Sequence, residues 1–129
     1  AEQLSLMQPQ IEQWKTAMGA RLKRLTAQHG PLPSKAFPGR AAILIKLLDI
    51  DVDIIEAVYE KPKSMKIGHY VPGTRIPIKN EEELFSLSKQ PEVIINLAWH
   101  ISDEIRNYLS QHGYSGEIID ILNPHDFKS

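Results

Sequence analysis

Residues 93–105 read VIINLAWHISDEI, and this stretch sets the architecture. Val93 to Leu97 is almost wholly apolar, as expected for a strand covered on both faces. Ser102 follows as an N-cap, with Asp103 and Glu104 well placed in the first turn of a helix running to His112. Gly113 ends that helix, and Glu117 to Leu122 reads as a last strand before the polar tail Asn123 to Ser129. A buried strand, a helix and a further strand in quick succession is the pattern of an α/β domain with a parallel sheet.

The same alternation extends upstream. Leu32 to Phe37 reads as a short first strand, although Pro33, Ser34 and Lys35 are poor interior strand residues. Gly39 to Leu48 follows as a helix with Ile43, Leu44, Leu47 and Leu48 inward, and Ile54 to Tyr59 as a strong β run. Thr74 to Ile78 is extended, and Pro77 confines it to an edge or a strand end. Asn80 is placed to cap an acidic-started helix over Glu81 to Leu87. Pro72 and Gly73 suit the centre of a type II turn.

Before all this stands a long helix. Leu4, Met7, Ile11, Trp14, Met18, Leu22 and Leu25 recur at steps of three and four, so they share one face. Pro9 suits a first helical turn, Gly30 a left-handed stop, and Pro31 and Pro33 prevent continuation. That apolar face packs on its own domain, forms a dimer seam, or leans on a neighbouring domain. The chain starts at Ala1 with no initiator Met, which points to a piece cut from a longer protein. The expected organisation is one domain, with a connecting helix over residues 1–30, an α/β core over 31–122 and a tail over 123–129.

Composition narrows the function classes. The chain has 129 residues, enough for one domain with a real core. Fifteen Lys and Arg nearly balance sixteen Asp and Glu, so no global basic excess argues for nucleic acid. No apolar run is long enough to span a bilayer. Cys is absent, which excludes disulfides, thiolate metal sites and Cys nucleophiles and is compatible with a cytoplasmic protein. No P-loop, nucleophile elbow or metal-binding His spacing appears, and no catalytic residue is assigned.

In an open α/β sheet, ligands gather beyond the carboxyl ends of the strands near the switch in strand order. Three stretches fall there. Ala36-Phe37-Pro38-Gly39-Arg40-Ala41-Ala42 opens a helix, and Arg40 could grip a phosphate or carboxylate or simply be solvated. Its single Gly39 speaks against a dinucleotide oxidoreductase, which needs a glycine-rich turn. Glu60 ends the second strand, where a dinucleotide fold places its ribose ligand; Lys61, Lys63 and Lys66 could attract phosphate or form a solvated loop. Trp99 and His100 run off the long buried strand. They could stack on a base and move a proton, or pack beneath a loop and bond backbone. His29 and His112 near helix C-termini read as structural, and His125 lies in the tail.

These residues resemble a family. The string KIGHYVPGTRIPI (residues 66–78) and then PEVIINLAWHISDEI (residues 91–105) resemble the C-terminal domain of the S-adenosylmethionine-dependent sugar C-methyltransferases. The match rests on Lys66 and Gly68, Pro72-Gly73-Thr74, Ile76-Pro77-Ile78, Leu97-Ala98-Trp99 and Asp103-Glu104-Ile105, and covers roughly Phe37 to Leu122. Where the family has a Tyr-Gly-Ala-x-x-Lys-Gly-Asn-Thr-like loop, Arg40 takes the place of the Lys, and Ala42 and Ile43 replace the polar pair.

The resemblance implies a three-layer Rossmann-like parallel sheet with helices on both faces. It implies a substrate-side domain that binds a nucleotide-sugar without transferring methyl alone, here through Arg40, Glu60, Trp99 and His100. Zinc and S-adenosylmethionine would belong to upstream domains, and no cofactor or metal is expected in this chain. The N-terminal helix would meet an upstream S-adenosylmethionine-binding domain, a partner chain or a second copy. The alternative is a structural or oligomerisation module that kept the fold and lost the ligand.

Overall fold

The computed structural model describes residues 8–122. Leu4, Met7, His125 and the rest of the expected tail lie outside the described residues. The elements run α1 (Gln8–His29), β1 (Leu32–Lys35), α2 (Ala41–Leu47), β2 (Ile55–Glu60), β3 (Ile78–Asn80), α3 (Glu81–Phe85) and β4 (Val93–Asn96). A 3-10 turn (Trp99–Ile101), α4 (Ser102–Gln111) and β5 (Glu117–Asp120) complete it. The five strands form one sheet in the order β3-β2-β1-β4-β5, and every neighbouring pair is parallel. This is the order of a doubly wound, Rossmann-like sheet.

Two buried clusters show the three layers. Trp14, Met18 and Leu22 of α1 and Ala41, Leu44 and Ile45 of α2 pack with Ile55, Val58, Ile95 and Ile119. On the opposite face, Leu84 of α3 and Ile105 and Leu109 of α4 pack with Ala57, Tyr59 and Ile94. Successive β4 residues alternate between the clusters, as the strand period requires. The β2 alternation slips at Glu56, because Leu32 pairs with Ile55 and Pro33 already with Ala57. That irregularity accommodates Pro33, which has no N–H to give a ladder.

The α1 stripe is used inside the domain: Trp14, Met18 and Leu22 are buried, and the Trp14 indole donates to the Ile121 carbonyl at 3.0 Å. Gly30 and Gly113 take the expected left-handed conformation after α1 and α4. Pro72 and Gly73 form the expected turn, with Gly73 at φ 78 and Thr74 N–H bonded to the Val71 carbonyl. Among the described residues no helix is long and apolar enough to cross a membrane.

Four local expectations change, the first on α2, where Ile43, expected inward, stands 48% exposed. The poor-looking first strand lies at the centre of the sheet, because its polar side chains find buried partners: Ser34 Oγ donates to the Ala57 carbonyl and Lys35 meets Glu81. The strand expected over Thr74 to Ile78 lies instead at Ile78–Asn80; it is an edge strand abutted by Pro77, as Pro77 requires, and the Pro77 carbonyl accepts from Val58 N–H. Ser102 is not a cap. A 3-10 turn runs straight into α4, Ser102 itself is helical, and its hydroxyl donates to the Asp120 carboxylate. Asn80 does cap α3, accepting from Glu82 N–H at 2.9 Å.

Candidate functional site

The five strands end at their carboxyl termini on Lys35, Glu60, Asn80, Asn96 and Asp120. Every strand thus ends on a polar residue at this edge of the sheet. The strand order reverses between β1 and β4, so the crevice lies between the β1–α2 loop and the 3-10 turn after β4. A bond from Leu97 N–H to the Lys35 carbonyl joins the two at the base of the crevice.

Arg40 stands exposed at the start of α2, and His100 stands exposed on the 3-10 turn. The Arg40 charge is felt at His100. Partial desolvation, and then the Arg40 charge, hold the His100 imidazole below its ordinary 6.5, while Glu104 works in the opposite direction. At neutral pH the ring is uncharged, with one nitrogen donating and the other accepting.

Trp99 opens the 3-10 turn beside His100. It is 6% exposed, belongs to the α1–α2 side of the core, and meets the His100 ring edge-on at 5.6 Å. Its indole N–H is buried and has no hydrogen-bond partner.

Glu60 is engaged with the loop. Its Oε2 accepts from the Phe37 N–H at 2.5 Å, and Lys66 Nζ donates to the Phe37 carbonyl at 2.5 Å. Lys61 and Lys63 extend the same rim and are exposed. Arg40 and His100 thus stand on the two loops that flank the strand-order switch. Trp99 is buried next to His100, and Glu60 is bonded to Phe37 of the first loop.

Two side-chain groups went unrecognised in the sequence. The first joins Lys35, Glu81 and Tyr108. Lys35 Nζ lies 3.0 Å from Glu81 Oε1, with side chains only 3% and 4% exposed. That oxygen is met by the ammonium charge rather than by an aligned N–H, while Tyr108 donates to Oε2. Burial and the Glu81 carboxylate push the Tyr108 hydroxyl up to about 12. Lys35 and Lys61 both approach the Tyr108 ring, at 5.1 and 4.9 Å. A lysine in a strand otherwise buried on both faces was the one available signal. The second group is saturated: Asp120 accepts from Asn96, Ser102 and Arg106, and Arg106 also donates to the Ile118 carbonyl.

Among the described residues no group of three or more His, Cys, Asp or Glu could hold a metal ion. The family model for the C-methyltransferase C-terminal domain matches residues 2–120. No curated protein matches the chain.

Proposed function

The chain belongs to the C-methyltransferase C-terminal domain family, and on that premise we propose that it is the substrate-side domain of a sugar C-methyltransferase-like protein of the cytoplasm. It binds a nucleotide-sugar in the crevice between β1 and β4 and does not transfer methyl by itself. The observation that carries this reading is the position of Arg40 and His100 on the two loops flanking the strand-order switch, both exposed.

Each residue has a role suited to its chemistry. The Arg40 guanidinium takes the diphosphate, for which its planar fork is well shaped. Exposed Lys61 and Lys63 supply a positive approach for a polyanion. Neutral His100 bonds a sugar or ribose hydroxyl. Trp99 is a rigid buried ring with an indole N–H lacking a partner, and Glu60 accepts from a hydroxyl through the oxygen not bonded to Phe37. S-adenosylmethionine and zinc belong to other domains or partner chains, with α1 as the element nearest to them in sequence.

Thermal denaturation with millimolar uridine or thymidine diphosphate sugars tests the reading. Ligand at a hundred times its Kd stabilises by about 2.7 kcal/mol, a readily measured shift. Arg40→Gln lowers both the affinity and its dependence on salt. No shift with any of these sugars, in this chain and in the protein that carries it, sinks the proposal.

The competing reading is an interaction module. Ile43 favours it, standing 48% exposed on α2. Light scattering decides: a strict monomer that binds nucleotide-sugar leaves that reading without support.

A further inference from the structure

The β1–α2 loop leaves the sheet abruptly. Ala36 still bonds in register, its N–H to the Tyr59 carbonyl, but takes φ 66, a left-handed conformation that an L-residue adopts at a cost. The chain then turns away, so the Phe37 N–H has no ladder to join. Its carbonyl precedes Pro38 and lies before the first turn of α2, where backbone bonding resumes from Ala41 N–H to the Pro38 carbonyl. Both polar groups of Phe37 would thus be left over beside a buried ring, 7% exposed.

Two ions of opposite sign satisfy them. Glu60 Oε2 accepts from the N–H and Lys66 Nζ donates to the carbonyl, both at 2.5 Å. The ammonium also stands 5.7 Å from the centre of the Phe37 ring. Lys66 is itself held, its N–H bonded to Ser64 Oγ and its carbonyl to His69 N–H. Each ion matches the partial charge of the backbone group it faces.

We propose that Glu60 and Lys66 are positioning residues, the two halves of a latch that closes on Phe37 and sets the Ala36–Arg40 loop over the crevice. The latch rests on the nucleotide-sugar reading for its purpose, since what it positions is Arg40, three residues on from Phe37. Lys66, lysine-rich loop member though it is, acts on the protein backbone and not on phosphate. Loosening the latch costs affinity through lost preorganisation and not through a lost ligand charge.

The experiment is a cycle of Glu60→Ala, Lys66→Met and the double variant in the full chain, with two readouts. Hydrogen exchange of the Phe37 amide, without ligand, should rise roughly tenfold or more in Glu60→Ala and to a lesser extent in Lys66→Met. The double variant should match Glu60→Ala rather than the product of the two singles. Glu60→Gln, whose amide oxygen still accepts, should restore protection. Affinity for a nucleoside diphosphate sugar should fall in Lys66→Met, which removes no ligand contact, with its salt dependence unchanged, whereas Arg40→Gln flattens that dependence.

Unchanged exchange in Glu60→Ala, independent effects in the double variant, or a Lys66→Met variant that loses salt dependence as Arg40→Gln does would each overturn the latch. The exchange measurement needs no ligand. If the wild-type chain binds no nucleotide-sugar but exchange behaves as stated, the functional reading falls and the latch stands as a loop device. If binding is intact and exchange does not respond, the latch alone falls.

Discussion

Lys35→Met removes one partner of the most deeply buried ion pair among the described residues and leaves Glu81 without its cation. The two side chains are 3% and 4% exposed and 3.0 Å apart. Water cannot replace the ammonium without opening the contact between α3, α4 and the end of β1. Breaking a buried pair from one side costs about 3–5 kcal/mol, a large share of a domain stability of about 5–15 kcal/mol. For a chain of this size that is a fall of roughly 10–20 °C in Tm. Urea titration followed by tryptophan fluorescence and far-ultraviolet dichroism reads it as a lower midpoint at constant slope.

The informative control is Lys35→Met combined with Glu81→Gln. The uncharged amide still accepts from Tyr108, so the double variant has neither an orphan charge nor an orphan hydroxyl. It should recover most of the loss, since removing both charges of a buried pair is often near neutral. A loss below about 1 kcal/mol in the single variant, or a double variant no more stable than the single, would refute the argument that uncompensated charge is the cause.

Three further outcomes are expected. The His100 imidazole should titrate below 6.5 by NMR, move up in Arg40→Gln and move further down in Glu104→Gln. Because the folded pKa is the lower one, the unfolded chain takes up this proton first, so stability falls as pH drops through the window beneath 6.5 and Arg40→Gln narrows that window. Gly116→Ala should cost about 1–3 kcal/mol in denaturant, since its Cβ would stand 2.3 Å from the Tyr114 hydroxyl and 2.8 Å from the Glu92 carbonyl. Ala36→Gly should raise stability by up to about 1 kcal/mol, because relief of the left-handed conformation at φ 66 outweighs the added freedom of the unfolded chain.

The elements that could be read in the sequence are those whose cause is local. Gly30 and Gly113 end helices through their own backbone freedom, and Asn80 caps α3 from two residues away. The VIIN run of β4 shows its burial in its composition. β1 could not be read in that way. Leu32-Pro33-Ser34-Lys35 is a central strand because Ala57 and Glu81, far along the chain, take its polar groups. Ser102 misled for the same reason: its hydroxyl serves Asp120 of β5 instead of its own helix.

The site divides likewise. Strand ends and loop starts identified Arg40, Glu60, Trp99 and His100 as positions of interest. That Glu60 and Lys66 converge on one residue, and that Arg40 acts on His100, depends on how the loops fold over the rim.

Strand order has a mechanical consequence. β3 and β2 form one leaf, β4 and β5 another, and within the sheet they are joined only through β1. β1 is matched to β2 along its whole length, but to β4 only at Ser34 with Ile95 and Lys35 with Asn96. The sheet is thinnest at that second joint, which is where an opening of low free energy would begin. It is braced on one face by α1, whose Trp14 bonds Ile121, and on the other by Glu81 and Tyr108 gripping Lys35. Arg40 follows β1 on one side of that joint and His100 follows β4 on the other, so a molecule held by both spans the spine of the book and resists its opening.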